Sequence, residues 1–258
     1  MTRLTITKPD DWHLHVRDGK QMQSVINETA RYYRRALIMP NLKEPVKSVK
    51  LALEYKERIL KALDPDLEFD PLMALYLTDE TSENEILKAA ENNNLLVVKL
   101  YPSGATTNSS SGVTSIEACD KLFEKMQQYD IPLSVHGEVT RPEVDIFDRE
   151  KIFIDEVLAV IAKRYPELRI VFEHISTKEA VQFVASSSHN IAGTITIHHL
   201  LLNRNDMLVN GINPHYFCLP IIKKRSDQLA LIEAATSGNP KYFLGTDSAP
   251  HPKNSKEC

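Results

Sequence analysis

The chain has 258 residues, 42% of them apolar and 26% charged. That balance excludes disorder, a collagen-like fibre and a disulfide-stapled miniprotein, and it leaves room for one large core. Thirty-one basic residues against 35 acidic ones leave a net charge of −4, so no broad positive field invites nucleic acid or an anionic membrane. Cys119, Cys218 and Cys258 are too few and too scattered for a disulfide framework or a C-x-x-C metal site, which fits a reducing cytoplasm. The opening MTRLTITKPDDWH has no apolar stretch of the signal-peptide kind. No apolar run reaches the roughly 18 residues of a membrane span.

In chain order, short β-branched runs alternate with longer helical patterns. Residues 4–6 open the first strand candidate, with 12–16 at its end or just after it. Further strands are expected at 36–39, 69–77, 95–100, 133–136, 169–174, 191–197 and 242–245. Their Val, Ile, Leu and Phe content is that of strands covered on both faces. Helices are expected between them at 22–33, 46–63, 83–91, 116–128, 148–164, 177–186 and 227–236. Pro40, Pro102, Pro132, Pro166 and Pro240 fall near element ends, where a missing N–H is tolerable.

The helix at 148–164 illustrates the pattern. Ile152, Val157, Val160 and Ile161 form one apolar stripe, while Glu150, Lys151, Glu156 and Lys163 are left for water. Eight such strand–helix units predict an α/β fold, a (β/α)8 barrel formed by one catalytic domain over 1–258. Residues 103–115, SGATTNSSSGVTS, read as a small, polar, flexible loop after the fourth strand, where barrel enzymes place site loops. Only eleven residues follow Asp247, whereas a closed barrel normally carries another helix after strand eight. The expectation is a barrel missing its C-terminal portion.

The chemistry-bearing residues sit at strand ends. His13 and His15 form an H-x-H pair, and residues i and i+2 of a strand share a face. Lys99, His136, His174 and Asp247 close later strand candidates. Taken singly, each fits a hydrogen-bonded core residue or a cap. Together they recur at the C-terminal mouth of a barrel, where such enzymes do their chemistry. An ordinary lysine ammonium is a poor neighbour for a divalent cation. Carbamylation by CO2 would remove the charge of Lys99 and supply oxygen ligands, and a salt-bridged lysine is the alternative. Histidine and aspartate donors suit zinc without thiolates, and a two-metal centre can polarise a carbonyl. No dinucleotide or P-loop motif competes. Ile197-His198-His199 stands near another strand end. Adjacent strand residues face opposite sides, so the two histidines are not both assigned as ligands. Trp12 and Tyr101 read as packing near the site.

The motifs Asp11-Trp12-His13-Leu14-His15-Val16-Arg17-Asp18, Met39-Pro40-Asn41, Lys99-Leu100-Tyr101-Pro102, Ala105-Thr106-Thr107-Asn108-Ser109-Ser110, Val135-His136-Gly137-Glu138, Phe172-Glu173-His174, Cys218-Leu219-Pro220 and Gly245-Thr246-Asp247-Ser248-Ala249-Pro250-His251 span the chain. With them the sequence resembles the dihydroorotases of the amidohydrolase superfamily, in their shorter bacterial type. The resemblance implies a distorted metal-dependent barrel holding two zinc ions, with His13, His15 and Asp247 on one and His136 and His174 on the other. Carboxylated Lys99 and a hydroxide would bridge them. It implies substrate-carboxylate recognition by Arg17, Asn41 and His251, backbone help at Leu219, a proton shuttle at Asp247, and a mobile loop carrying Thr106 and Thr107. It further implies zinc-dependent, reversible hydrolysis of L-dihydroorotate to N-carbamoyl-L-aspartate, the reverse cyclisation serving pyrimidine synthesis. The expected setting is a cytoplasmic homodimer without nucleic-acid or membrane partners. Two other readings stay open: a hydantoinase-like cyclic-amide hydrolase, and a catalytically silent metabolite-binding or assembly protein. Alone, Arg17 also fits a pair with Asp11 or Asp18, Asn41 a turn residue, His251 a merely exposed side chain, and Thr106 and Thr107 an ordinary loop.

Overall fold

The computed structural model describes residues 3–257; Cys258 lies outside the described residues. Strand β1 (Asp10–Leu14) pairs with β2 (Arg35–Ile38), and β3 (Asp70–Tyr76), β4 (Leu95–Leu100), β5 (Leu133–Val135), β6 (Ile170–Phe172), β7 (Ile191–Ile195) and β8 (Tyr242–Leu244) follow in sequence order, each parallel to its neighbour. The chain after β8 returns to β1. Leu14 bridges Ser248, His15 N–H donates to Ser248 O at 3.0 Å, and Asp247 N–H donates to His13 O at 2.9 Å. This closure makes a (β/α)8-type barrel, and it ties the segment carrying Asp247 to the strand carrying His13.

The helices form for local reasons. α1 (Gly19–Tyr32) is capped by the Asp18 carboxylate and buries Met22, Ile26 and Ala30. α2 (Val49–Ala62) starts at Ser48, whose hydroxyl accepts from Leu51 N–H. α3 (Glu83–Ala90) and α4 (Asp120–Gln128) cover β3 to β5, burying Ile86 and Ala89, and Leu122, Phe123 and Met126. Beyond β5 come α5 (Arg149–Phe153) and α6 (Ala159–Arg164), and after β6 comes α7 (Lys178–Ser186). After β7 follow α8 (Ile197–Leu201), α9 (Arg204–Leu208) and α10 (Arg225–Thr236), and the short α11 (Lys253–Lys256) follows β8. The largest core joins residues of the outer helices such as Phe123, Leu158 and Val184 to strand residues such as Leu133, Ile170 and Phe172. Full burial of one such side chain contributes about 1.5–3 kcal/mol.

Several local expectations are corrected. The run at 4–6 is not a strand: Leu4 and Ile6 are 83% and 68% exposed. β1 pairs with β2 from Asp10 and Arg35 onward, so among the described residues the earlier β-branched run has no neighbouring strand. The helix at 148–164 is interrupted by a π turn over Ile154–Leu158, which rotates the faces on either side. Val160 is therefore 53% exposed while Phe153, Ile154 and Leu158 are buried. Glu150, expected in water, is fully buried. Its carboxylate accepts from Ser176 and Thr177, both backbone N–H and hydroxyl, and so holds the chain just beyond His174. The strand at 191–197 ends at Ile195, because the Thr196 hydroxyl accepts from His199 N–H and starts α8. Local capping prevails there over the β-branched character of Thr196 and Ile197.

Candidate active site

The cluster begins on β1. A register irregularity between Asp11 and Leu14 reshapes this strand, and His13 and His15 still face one another with their Nε2 atoms 3.3 Å apart. Asp247 Oδ1 lies 3.0 Å from His15 Nε2 and 3.5 Å from His13 Nε2. His13, His15 and Asp247 thus form one compact group of ligand-capable atoms. Beside it, His136 Nδ1 is 3.2 Å from His174 Nε2, and the His13 and His174 ring centres are 5.0 Å apart. Lys99, on β4, is fully buried, and its Nζ has no hydrogen-bond partner.

Carboxylates behind the rings fix their orientation. Glu173 accepts from His13 Nδ1 at 2.9 Å, from Ser134 Oγ at 2.6 Å and from Thr194 Oγ1 at 2.6 Å. With Nδ1 carrying its proton toward Glu173, His13 presents Nε2 as a lone pair. Glu138 faces His136 Nε2 at 2.8 Å and leaves Nδ1 for the cluster. Asp11 accepts from His13 N–H, Thr246 N–H and the Thr246 hydroxyl, which pins the two strand ends together. Glu173, Glu138, Asp11, Ser134 and Thr194 were not assigned from the sequence. The three carboxylates lie within the quoted motifs without having been given a role, and only a folded barrel brings Ser134 and Thr194 to Glu173.

The backbone around the cluster is constrained. Arg17, His174 and Asp247 have positive φ values of 59°, 40° and 49°, a region that costs a non-glycine residue about 1–3 kcal/mol. A Cβ on Gly245 would lie 2.8 Å from His13 Cβ, and one on Gly137 would lie 2.1 Å from Phe172 Cε2. Glycine at these positions allows β8 to approach His13 and the chain beyond β5 to approach β6.

Electrostatics favour a neutral His15 and His174 and an ionised Asp247. Burial pushes His15 down to about 4 and His174 well below the ordinary histidine value. Burial pushes the Lys99 ammonium down to about 8, against the pull of Glu173 and Asp247. Burial alone would raise the Asp247 carboxyl, but the facing rings of His13 and His15 hold it well below the usual range. Ring nitrogens facing one another, a buried amine without an acceptor and an unpartnered His174 Nδ1 do not satisfy one another. This donor set fits divalent cations.

A cavity of about 470 Å³ opens over the cluster. It is lined by His13, His15, His136, His174 and Asp247, and by Arg17, Asn41, Leu219, His251, Thr106 and Thr107. The structure therefore brings every sequence-assigned site residue to this lining except Lys99, which is fully buried. Arg17 donates from Nε to Pro250 O at 3.1 Å, and its Nη2 lies 3.1 Å from His251 Nε2. Asn41 Nδ2 donates to Thr107 O at 2.9 Å, and Asn108 Nδ2 returns a bond to Asn41 O at 3.0 Å. The loop at 103–115 is thus anchored to the cavity wall, and Ala105, Ser109 and Val113 within it are buried.

A second wall also borders the cavity: His198 and Cys218, which stood in motifs singled out in the sequence, together with Leu202, Tyr216, Phe217 and Lys256, which did not. His198, His199 and Cys218 form a second ligand-capable group. The opposite-face argument for the two histidines fails because they lie on α8, with ring centres 4.5 Å apart. Both His199 nitrogens are already engaged, Nδ1 with Thr196 Oγ1 and Nε2 with Pro220 O. Trp12 packs edge-on against Phe243 at 6.3 Å, in an apolar layer with Leu37 and Val97.

Comparison with known proteins agrees with this geometry. The amidohydrolase family model matches residues 9–257. A dihydroorotase of Picosynechococcus is 56% identical over 257 residues, covering 100% of this chain and 74% of its own length. The dihydroorotase structure from Campylobacter jejuni superposes with a TM-score of 0.89 at 40% identity, over 96% of this chain and 71% of that one. The Saccharomyces cerevisiae dihydroorotase structure, in complex with 5-fluoroorotic acid, gives a TM-score of 0.87 at 32% identity, over 96% and 71%. The chain belongs to the amidohydrolase family and, within it, to the dihydroorotases.

Proposed function

We propose that this chain, as one catalytic barrel, reversibly hydrolyses the ring amide of L-dihydroorotate to N-carbamoyl-L-aspartate. The observation that carries this reading is the shared cavity: a cluster of ligand-capable side chains forms its floor and Arg17, Asn41 and His251 stand on its wall. The bound 5-fluoroorotic acid of the yeast relative is a carboxylated pyrimidine of the same chemical class.

Two zinc ions would fit this donor set: His13, His15 and Asp247 would hold one, His136 and His174 the other, and Lys99, once carboxylated, would supply oxygen ligands. When bound, they supply an activated water and polarise the ring carbonyl. The protein's own residues do the rest. Arg17, held from behind by Pro250 O and His251, keeps Nη1 and one Nη2 hydrogen for an end-on grip on the substrate carboxylate. That grip fixes the ring so that its amide meets the floor. Asp247, ionised and three residues before Pro250, takes a proton from the attacking water and returns it to the departing ring nitrogen. Thr106 and Thr107, the latter held by Asn41, cover the ring and limit access of bulk water. A homodimer of this barrel is part of the same proposal.

A substrate panel tests the reading. Zinc-loaded protein should turn over dihydroorotate and leave neutral hydantoins largely untouched, because Arg17 has nothing to hold on them. Preference for the hydantoins would assign the cavity to another cyclic amide. Tight dihydroorotate binding without turnover, both metals being present, would make it a binding protein.

A further inference from the structure

Tyr101 stands two residues beyond Lys99, where β4 meets the loop at 103–115. It is 1% exposed and borders the cavity. Its hydroxyl oxygen is buried and has no hydrogen-bond partner. Leaving such a group unsatisfied costs about 1–3 kcal/mol, and phenylalanine would fill the same space without that cost. The ring is held on several sides. Tyr76 lies 5.1 Å away at 31°, His136 lies 6.3 Å away at 35°, and Lys99 Nζ sits 5.0 Å from the ring centre. The Tyr101 carbonyl accepts from Val113 N–H at 2.9 Å, and Gly112 packs so close to that carbonyl that a Cβ would lie 2.3 Å from it. The side chain is thus held in place on the wall of the cavity that Arg17 and Asp247 also line.

The donors around the proposed carboxylate position are already partly spent. A carboxylate offers about four lone-pair sites, and an end-on Arg17 fills two of them. Asn41 Nδ2 is engaged with Thr107 O, and His251 Nε2 with Arg17. A neutral phenol lining the same cavity as Arg17 would fill a third site without adding charge. We infer that the Tyr101 hydroxyl donates a hydrogen bond to the carboxylate of the bound substrate, which makes Tyr101 a specificity residue as well as a packing one. This inference rests on the dihydroorotase reading above.

The test compares wild type with Tyr101→Phe, which removes only the hydroxyl. Bound zinc, melting temperature, kcat and KM for dihydroorotate, and the calorimetric affinity for orotate, an unreactive carboxylated ring, are measured together. The expected result is a rise of about five- to tenfold in both KM and the orotate Kd, with kcat within twofold and zinc content and melting temperature unchanged. KM and orotate affinity within twofold of wild type would overturn the inference. So would a fall in kcat with orotate affinity unchanged, since the hydroxyl would then serve the reacting carbonyl. Loss of zinc or of melting temperature would make the role structural and overturn it as well. If metal-loaded wild type does not turn over dihydroorotate, the functional reading itself fails. If wild type is active and Tyr101→Phe matches it, only the present inference does.

Discussion

Glu173 turns His13 toward the cavity: its Oε2 accepts a hydrogen bond from Nδ1–H at 2.9 Å while Ser134 and Thr194 fix the carboxylate itself. All three partners of this carboxylate come from different strands or strand ends, so the ring orientation is a property of the closed barrel. A carboxylate behind a ligating histidine sets its tautomer and raises its basicity.

Replacing Glu173 with glutamine keeps the volume but removes the charge. The amide could present its NH2 to His13 and reverse the tautomer. Metal affinity or activity should fall about 10–100-fold, read by titrating zinc into metal-stripped protein. Unchanged affinity would show that His13 needs no such support.

Gly137 follows His136 directly and leaves no room for a side chain. Gly137→Ala drives a Cβ to 2.1 Å from the Phe172 ring, and Phe172 is fully buried between strands. Overpacking of this kind costs about 1–3 kcal/mol. The melting temperature should drop by several degrees and turnover should fall with it, because the shift begins next to His136. Wild-type stability in thermal unfolding would contradict this packing.

A carboxylate far from the site gives a pH test of the fold alone. Glu85 accepts from Val49 N–H at the start of α2 at 3.0 Å and from Lys88 Nζ at 2.7 Å. Partial burial acts to raise its pKa, but Lys88 and Val49 outweigh it, and the folded value is lowered. A lowered folded pKa contributes stability above the unfolded value of about 4.3, and that contribution is lost as pH falls through the folded value. Glu85→Gln should cost about 0.5 kcal/mol at pH 7, and the gap should close at acid pH. Denaturant unfolding at both pH values checks it, and a gap that persisted or widened in acid would reverse the assigned sign.

The loop at 103–115 is tied to Asn41 from both sides. Asn108→Gly removes the bond from Asn108 Nδ2 to Asn41 O and tolerates the positive φ of 55° at that position. Limited proteolysis within the loop should quicken and KM for dihydroorotate should rise a few-fold, with zinc content unchanged. Proteolysis at the wild-type rate would show that the remaining loop bonds suffice.

The barrel was legible because strands buried on both faces announce themselves as continuous β-branched runs, and because helices between them carry a 3.6-residue stripe. His13, His15, His136, His174 and Asp247 were legible as polar interruptions at the ends of those runs. Residues whose role depends on a partner far along the chain were not. Glu150 looked like a solvated helix residue until Ser176 and Thr177 arrived to satisfy it. The π turn at Ile154–Leu158 leaves no compositional mark, so Val160 was assigned to the wrong face. Thr196 carried both a strand signal and a cap signal, and only the geometry of α8 decides between them. Tyr101 looked like packing because an aromatic residue after an apolar strand usually is, and the free hydroxyl emerges only once its surroundings are in place.

The most direct test of the account is dihydroorotate hydrolysis by zinc-loaded protein with bound metal counted, beside Lys99→Ala. The account predicts turnover with two zinc ions per chain, and loss of bound metal and nearly all turnover when Lys99 is replaced. Wild type retaining two metals without turnover, or Lys99→Ala retaining full activity, would contradict it.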